Sequence, residues 1–185
     1  MNNMKKILFL TIISCATLAA TAQKSYTKNG HISFFSKSSM ENISADNNQV
    51  MSVLNQQTGE FQFSVLIKGF HFQKALMEEH FNENYLESSK YPKATFKGTI
   101  SDLSKVDFKK DGNYAVTVSG DMTIHGVTKK LSSPGTITVK NGVPTANAKF
   151  PVKLADYNIA IPKLVKDNIA EIVDVTVSCV YDQKM

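Results

Sequence analysis

Gly120-Asp121-Met122-Thr123-Ile124-His125-Gly126-Val127-Thr128-Lys129-Lys130 reads as two strands of alternating polar and apolar residues folded over a two-residue turn. Gly126 tolerates positive φ without penalty, and His is among the residues enriched there. Working outward, Asp111-Gly112 upstream and Asn141-Gly142 downstream carry the same signal, because type I′ hairpin turns need positive φ at both central residues. Three hairpins so spaced predict a four-stranded meander over residues 94–110, 113–124, 127–140 and 143–153.

Other segments extend the pattern. Phe61, Phe63, Val65 and Ile67 recur at every second position, as do Val173, Val175, Val177 and Cys179, the period of a sheet with one buried face. Strands are expected over 30–37, 42–55, 60–69, with Thr58-Gly59 turning between the last two, and over 172–181, which brings the count to eight. Eight mostly antiparallel strands joined by hairpins can close into a barrel, which removes exposed edges and leaves an interior for side chains or one ligand.

Two segments break the β pattern. Over about residues 72–86, Leu76, Met77, Phe81 and Tyr85 fall at helical spacing, with Glu78, Glu79, Asn82 and Glu83 pointing elsewhere. Tyr91-Pro92 ends that helix, since proline disfavours helical geometry in the residue before it. Residues 155–171, with Asp156-Tyr157-Asn158-Ile159 and Pro162, are expected to cross one barrel end as an irregular segment.

Residues 1–22 read as a secretory signal: Lys5 and Lys6, an apolar core from Ile7 to Ile13, and Ala20-Thr21-Ala22 as the cleavage site, so that the mature domain spans 23–185. Acylation at Cys15 is the weaker reading, because Ile12-Ile13-Ser14 makes a poor lipobox and no polar tether follows. No segment approaches the roughly 20 apolar residues that a membrane-spanning helix needs. A periplasmic or secreted location follows. Removing residues 1–22 from the 185 leaves 163, enough for one domain with a sizeable core.

Charge and cysteines exclude several functions. The chain has no arginine, and its lysines are scattered along the presumed strands, so the basic balance lacks the clustered, forked cations of a nucleic-acid binder. Only Cys179 remains after cleavage, so no intramolecular disulfide can form. Its phase with Val173, Val175, Val177 and Tyr181 predicts a buried, inert thiol.

Candidate chemistry is sparse. His80 and Glu83 are three apart and could face one ion with His71 or His125, but no H-E-x-x-H or comparable ligand spacing is present, and neither a metal nor another cofactor is expected. No G-x-S-x-G elbow offers a nucleophile, and Glu78 and Glu79, adjacent on a helix, point apart, so an enzyme has no local support. His125 is expected to close its hairpin by hydrogen bonding, with contact to a ligand head group at the barrel mouth as the alternative. What remains is binding. Phe34, Phe61, Phe63, Val65 and Met77, with Phe81, Tyr85, Phe96 and Val177, are the interior candidates. A filled barrel and a hollow one demand the same inward apolar residues, so these positions alone leave both open.

Four motifs carry a family resemblance: Glu79-His80-Phe81 on the helix, Tyr91-Pro92-Lys93-Ala94-Thr95-Phe96 after it, Gly120 to Thr128 with Met122 where the pattern has Leu, and the corner Asp156-Tyr157-Asn158-Ile159. Together they resemble the YceI-like family over nearly the whole mature chain; Gly30-His31-Ile32-Ser33-Phe34-Phe35, in the first strand, departs most from its pattern. The resemblance implies an all-β, eight-stranded antiparallel, lipocalin-like barrel that is exported and carries or sequesters an isoprenoid or other lipid-like molecule, with a homodimer left open. The rival is a non-enzymatic envelope or stress-related protein with a packed barrel, acting through protein partners.

Overall fold

The computed structural model describes residues 24–185. The predicted signal, Cys15 and the predicted mature start at Gln23 lie outside them. The elements in chain order are β1 (Lys24–Lys37), β2 (Asn42–Asn55), β3 (Glu60–Leu66), β4 (His71–Phe72), α1 (Ala75–His80), β5 (Lys93–Ile100), β6 (Gly112–Ile124), β7 (Val127–Lys140), β8 (Val143–Lys153), β9 (Ile172–Val180) and β10 (Gln183–Lys184). Eight strands pair in the cyclic order β1, β2, β3, β5, β6, β7, β8, β9 and back to β1, every pair antiparallel. The sheet is therefore a closed barrel, and all of its strands lie within residues 24–185. The two-residue strands β4 and β10 add to β2 and β1 beyond the ring.

The outer face is mainly polar, with Phe35, Met51, Leu66, Ile172 and Val180 as its exposed apolar exceptions, and cross-strand ion pairs such as Lys130 with Asp121 at 2.8 Å and Lys149 with Asp174 at 3.1 Å decorate it. The inner face is apolar. Among the described residues no helix is long and apolar enough to cross a membrane.

The strand boundaries correct the sequence reading in three places. β1 begins at Lys24, six residues before the expected Gly30. Its inward side runs Ser25, Thr27, then Gly30, Ile32 and Phe34, so a bulge at Lys28-Asn29 shifts the phase and hides the period. Ser25 and Thr27 are also polar, which masks their burial. β5 stops at Ile100, and residues 101–111 form a connecting loop instead of more strand. Asp111-Gly112 is accordingly no type I′ turn: Gly112 is already paired in β6, and the Asp111 carboxylate accepts the Asn141 amide at 2.8 Å, capping the neighbouring hairpin. The other two turns have the expected form, with φ of 51° and 75° at His125 and Gly126 and of 53° and 73° at Asn141 and Gly142.

The helical insertion has two parts, the short α1 and a π-turn over Phe81–Tyr85 closed by the Leu86 amide donating to the Phe81 carbonyl at 2.9 Å. β3 ends at Leu66, with residues 67–69 forming a single 3-10 turn. Residues 154–171 cross the barrel end with 3-10 turns at Leu154–Tyr157 and Lys163–Val165. Asn158 turns the chain there at φ 56°, a left-handed conformation that asparagine tolerates better than most residues.

Chain direction sorts the loops between two ends. The β1–β2 turn, α1, the β6–β7 hairpin and the 154–171 crossing share one end; the β2–β3 turn, the 101–111 loop, the β7–β8 turn and Tyr181 share the other.

Candidate functional site

The second of these ends is plugged. Leu54, Phe61, Ile137, Val139, Cys179 and Tyr181 are buried there almost completely. Polar groups buried among them are satisfied: the Tyr181 hydroxyl and Ser52 Oγ lie 2.7 Å apart, and Gln56 Nε2 donates to Ser25 Oγ at 2.7 Å. Burial raises the Tyr181 phenol well above its ordinary range and lifts the Cys179 thiol to about 12. Cys179 is thus the inert thiol expected from its phase. Gly30 stands opposite it because a Cβ at that position would come within 2.5 Å of the sulfur.

The other half of the barrel is hollow, with a cavity of about 380 Å³, within the roughly 300–1,000 Å³ of small-molecule sites. Its walls differ. Rings line one side, where Phe61, Phe63 and Phe96 follow one another at centroid spacings of 6.0 and 6.2 Å. Across from them β7 and β8 present Ser133, Gly135, Ala146 and Ala148, whose small side chains leave the room. Because neighbours fill only part of their surroundings, Phe34, Phe63, Phe81 and Phe96 point inward and are still only partly buried.

The cover comes from the insertion and the crossing segment. Phe81 stacks on Phe34 at 5.6 Å and contacts Phe70 and Phe72 at 5.6 and 5.0 Å, which seats the π-turn on the barrel. Such ring pairs contribute about 0.5–1.5 kcal/mol each beyond the area they bury. Met77, Tyr85, Leu86, Leu154 and Ile159 complete the cover's inner surface. Burial also raises the Tyr85 phenol. Glu41, His80 and Asn168 are polar members of the lining, where the cavity reaches the surface, and Glu41 is held by Lys74 at 2.6 Å.

His125 pins this cover. Its ring does not close its own hairpin, which Thr123 and Thr128 join by a 2.8 Å hydroxyl contact. Instead Nε2 donates to the Glu87 carboxylate at 2.7 Å, and Nδ1 faces the Tyr157 carbonyl at 3.1 Å. Tyr91 packs edge-on at 4.6 Å, and its ring would meet a Cβ on Gly126 at 2.5 Å. The turn motif, the Tyr-Pro motif and the 154–157 corner therefore form one clamp, with the imidazole only a tenth exposed. The motifs flagged this turn, but contacts between residues more than thirty positions apart left no signal in the local sequence.

All nine sequence candidates, Phe34, Phe61, Phe63, Val65, Met77, Phe81, Tyr85, Phe96 and Val177, line this one cavity. Sequence reasoning missed the small β7–β8 wall, and also Met122 and Phe150. Alternation along β6 and β8 could have found the last two. The imagined ion site does not assemble: His71 faces Glu78 at 3.6 Å, His125 is taken by Glu87, and no group of three His, Cys, Asp or Glu able to hold a metal occurs among the described residues.

The model of the YceI-like domain matches residues 17–181. Among solved structures the fold is similar to a polyisoprenoid binding domain from Saccharophagus degradans implicated in plant cell wall breakdown, with a TM-score of 0.74 and 15% identity over 86% of this chain and 98% of that one. BcnA of Burkholderia cenocepacia gives 0.65 and 18% over 82% and 95%, and a YceI protein of Campylobacter jejuni gives 0.58 and 14% over 76% and 84%. At such identities the likeness is one of fold. No curated protein matches the chain. The agreement of the matched residues with this closed barrel, its helical cover and its clamp motif places the chain in the YceI-like domain family.

Proposed function

We propose that this protein is an exported carrier or sequestering protein that holds a long apolar molecule, an isoprenoid or other lipid-like chain, in the hollow half of the barrel. The observation that carries the reading is the cavity itself, walled mainly by aromatic and aliphatic side chains, with Glu41, His80 and Asn168 at its mouth. Burying each methylene-sized unit of a guest there contributes about 0.8 kcal/mol before ordering costs. Shape and length then select the guest more than hydrogen bonds do. Family membership and the polyisoprenoid-binding neighbour support the same class of ligand. Export rests on the signal-like residues 1–22, with the periplasm or the exterior as destination. The interior offers an apolar guest burial and no converging set of acid, base and nucleophile, which favours binding over catalysis.

Solvent extraction of the purified protein, followed by mass spectrometry, is expected to release a hydrophobic small molecule. A protein that extracts empty and takes up no added prenyl lipid contradicts the proposal and favours the partner-binding alternative.

A further inference from the structure

Three large apolar side chains project into solvent around the cavity mouth: Met40 at 71% exposure, Leu76 at 60% and Leu164 at 98%. They come from three separate segments, the β1–β2 turn, α1 and the 163–165 turn. Each sits beside a residue that lines the cavity, respectively Glu41, Met77 and Val165. The segments are also tied together. On one side of Met40, Ser39 Oγ donates to the Asp167 carbonyl at 3.4 Å; on the other, Glu41 pairs with Lys74 at 2.6 Å. The three tips therefore surround one rim.

We infer that this rim is a docking surface for a lipid bilayer, seating the mouth against the phase that supplies or receives the guest. The inference rests on the carrier reading, because a water-insoluble guest avoids water only if the mouth abuts its lipid phase. Single apolar side chains on three separate projections suit a soft surface without fixed shape. Lysines also flank each tip, with Lys37 before Met40, Lys74 before Leu76, and Lys163 and Lys166 around Leu164. Lysine is depleted from protein interfaces, but at a membrane its stem lies along the apolar layer while the ammonium reaches water. Glu41 and Glu171 pair with Lys74 and Lys166, and Glu79, Glu83 and Asp167 add further acidic groups along the same segments. Apolar insertion, more than headgroup charge, drives the contact.

Flotation of the segment 24–185, which holds the whole barrel, with phosphatidylcholine vesicles tests this. The protein is expected to float with them, and the exposed-tip variant M40S/L76S/L164S to partition about tenfold more weakly. Uptake of a prenyl lipid delivered from dilute ethanol, without vesicles, is expected to be unchanged in that variant. Vesicle binding that is absent, that survives the triple substitution, or that appears only when phosphatidylglycerol is added overturns the inference. Absent prenyl uptake with tip-dependent flotation instead overturns the carrier reading and leaves the docking surface standing.

Discussion

The two ends of this barrel are made from the same strands and behave as opposites. At the plugged end, inward positions hold large side chains that fill the lumen, and the polar groups buried among them have partners. Midway along the barrel the inward positions of β7 and β8 shrink to Ser133, Gly135, Ala146 and Ala148, and space opens against the aromatic wall, before Leu131, Phe150 and Val152 line it nearer the cover. The difference is one of side-chain volume at equivalent positions. It teaches that one end supplies stability and the other, less tightly packed, supplies the site.

The largest effect should come from cutting into the plug. Leu54→Ala removes a fully buried side chain where nothing can relax into the gap, and is expected to cost about 2–5 kcal/mol in denaturant unfolding. The same truncation at Phe34, which already faces the cavity, should cost clearly less. Equal losses at the two sites would erase the contrast.

The clamp comes next. His125→Ala deletes a charge-assisted bond to Glu87 and a contact to the Tyr157 carbonyl, for about 1.5–3 kcal/mol, and guest release should quicken as the cover loosens. His125→Gln, able to keep one of the two bonds, should fall between. Release kinetics unchanged in both variants would show that the clamp does not govern the cover.

Filling the hollow half should affect binding and hardly touch folding. Ala148→Phe places a ring in the cavity, so stability should fall by less than the roughly 1–3 kcal/mol of overpacking a filled core, while prenyl uptake falls tenfold or more. A variant that unfolds, or that binds normally, would argue that the cavity is not the guest's place.

The effect least felt near neutral pH is a pH dependence confined to the plug. Folded-state values of about 12 for Cys179 and well above 10.0 for Tyr181 exceed their ordinary values of 9.0 and 10.0, so each group's contribution is complete below the ordinary value and is lost as pH rises. Unfolding free energy should decline from pH 9 upward, while each group titrates only in the unfolded chain. Cys179 should resist a thiol reagent at pH 8 until the protein is denatured; rapid labelling of the native protein would contradict this.

The contrast also explains what was legible in the sequence. Alternation in Phe61, Phe63 and Val65 and in Val173, Val175 and Val177 exposed the inward faces, and the two true type I′ turns set the meander. All nine candidate residues could be named because a lined cavity needs apolar side chains in phase. The start of β1 was hidden, since its bulge breaks the period and its inward residues Ser25 and Thr27 are polar. Asp111-Gly112 misled because its dipeptide suits a turn, while the side chain serves another hairpin. The hollow itself was illegible: small residues become a wall only when closure sets them across from the rings. His125's partners, Glu87 and Tyr157, likewise met it only through tertiary structure.

Native mass spectrometry of the delipidated chain, mixed with a polyprenyl lipid, tests the central claim most directly. A single lipid per barrel is expected, its retention lost in Ala148→Phe and preserved in Phe61-sparing substitutions of the outer face such as Lys149→Gln. A chain that holds no lipid, or holds it equally well with the hollow filled, would contradict the account.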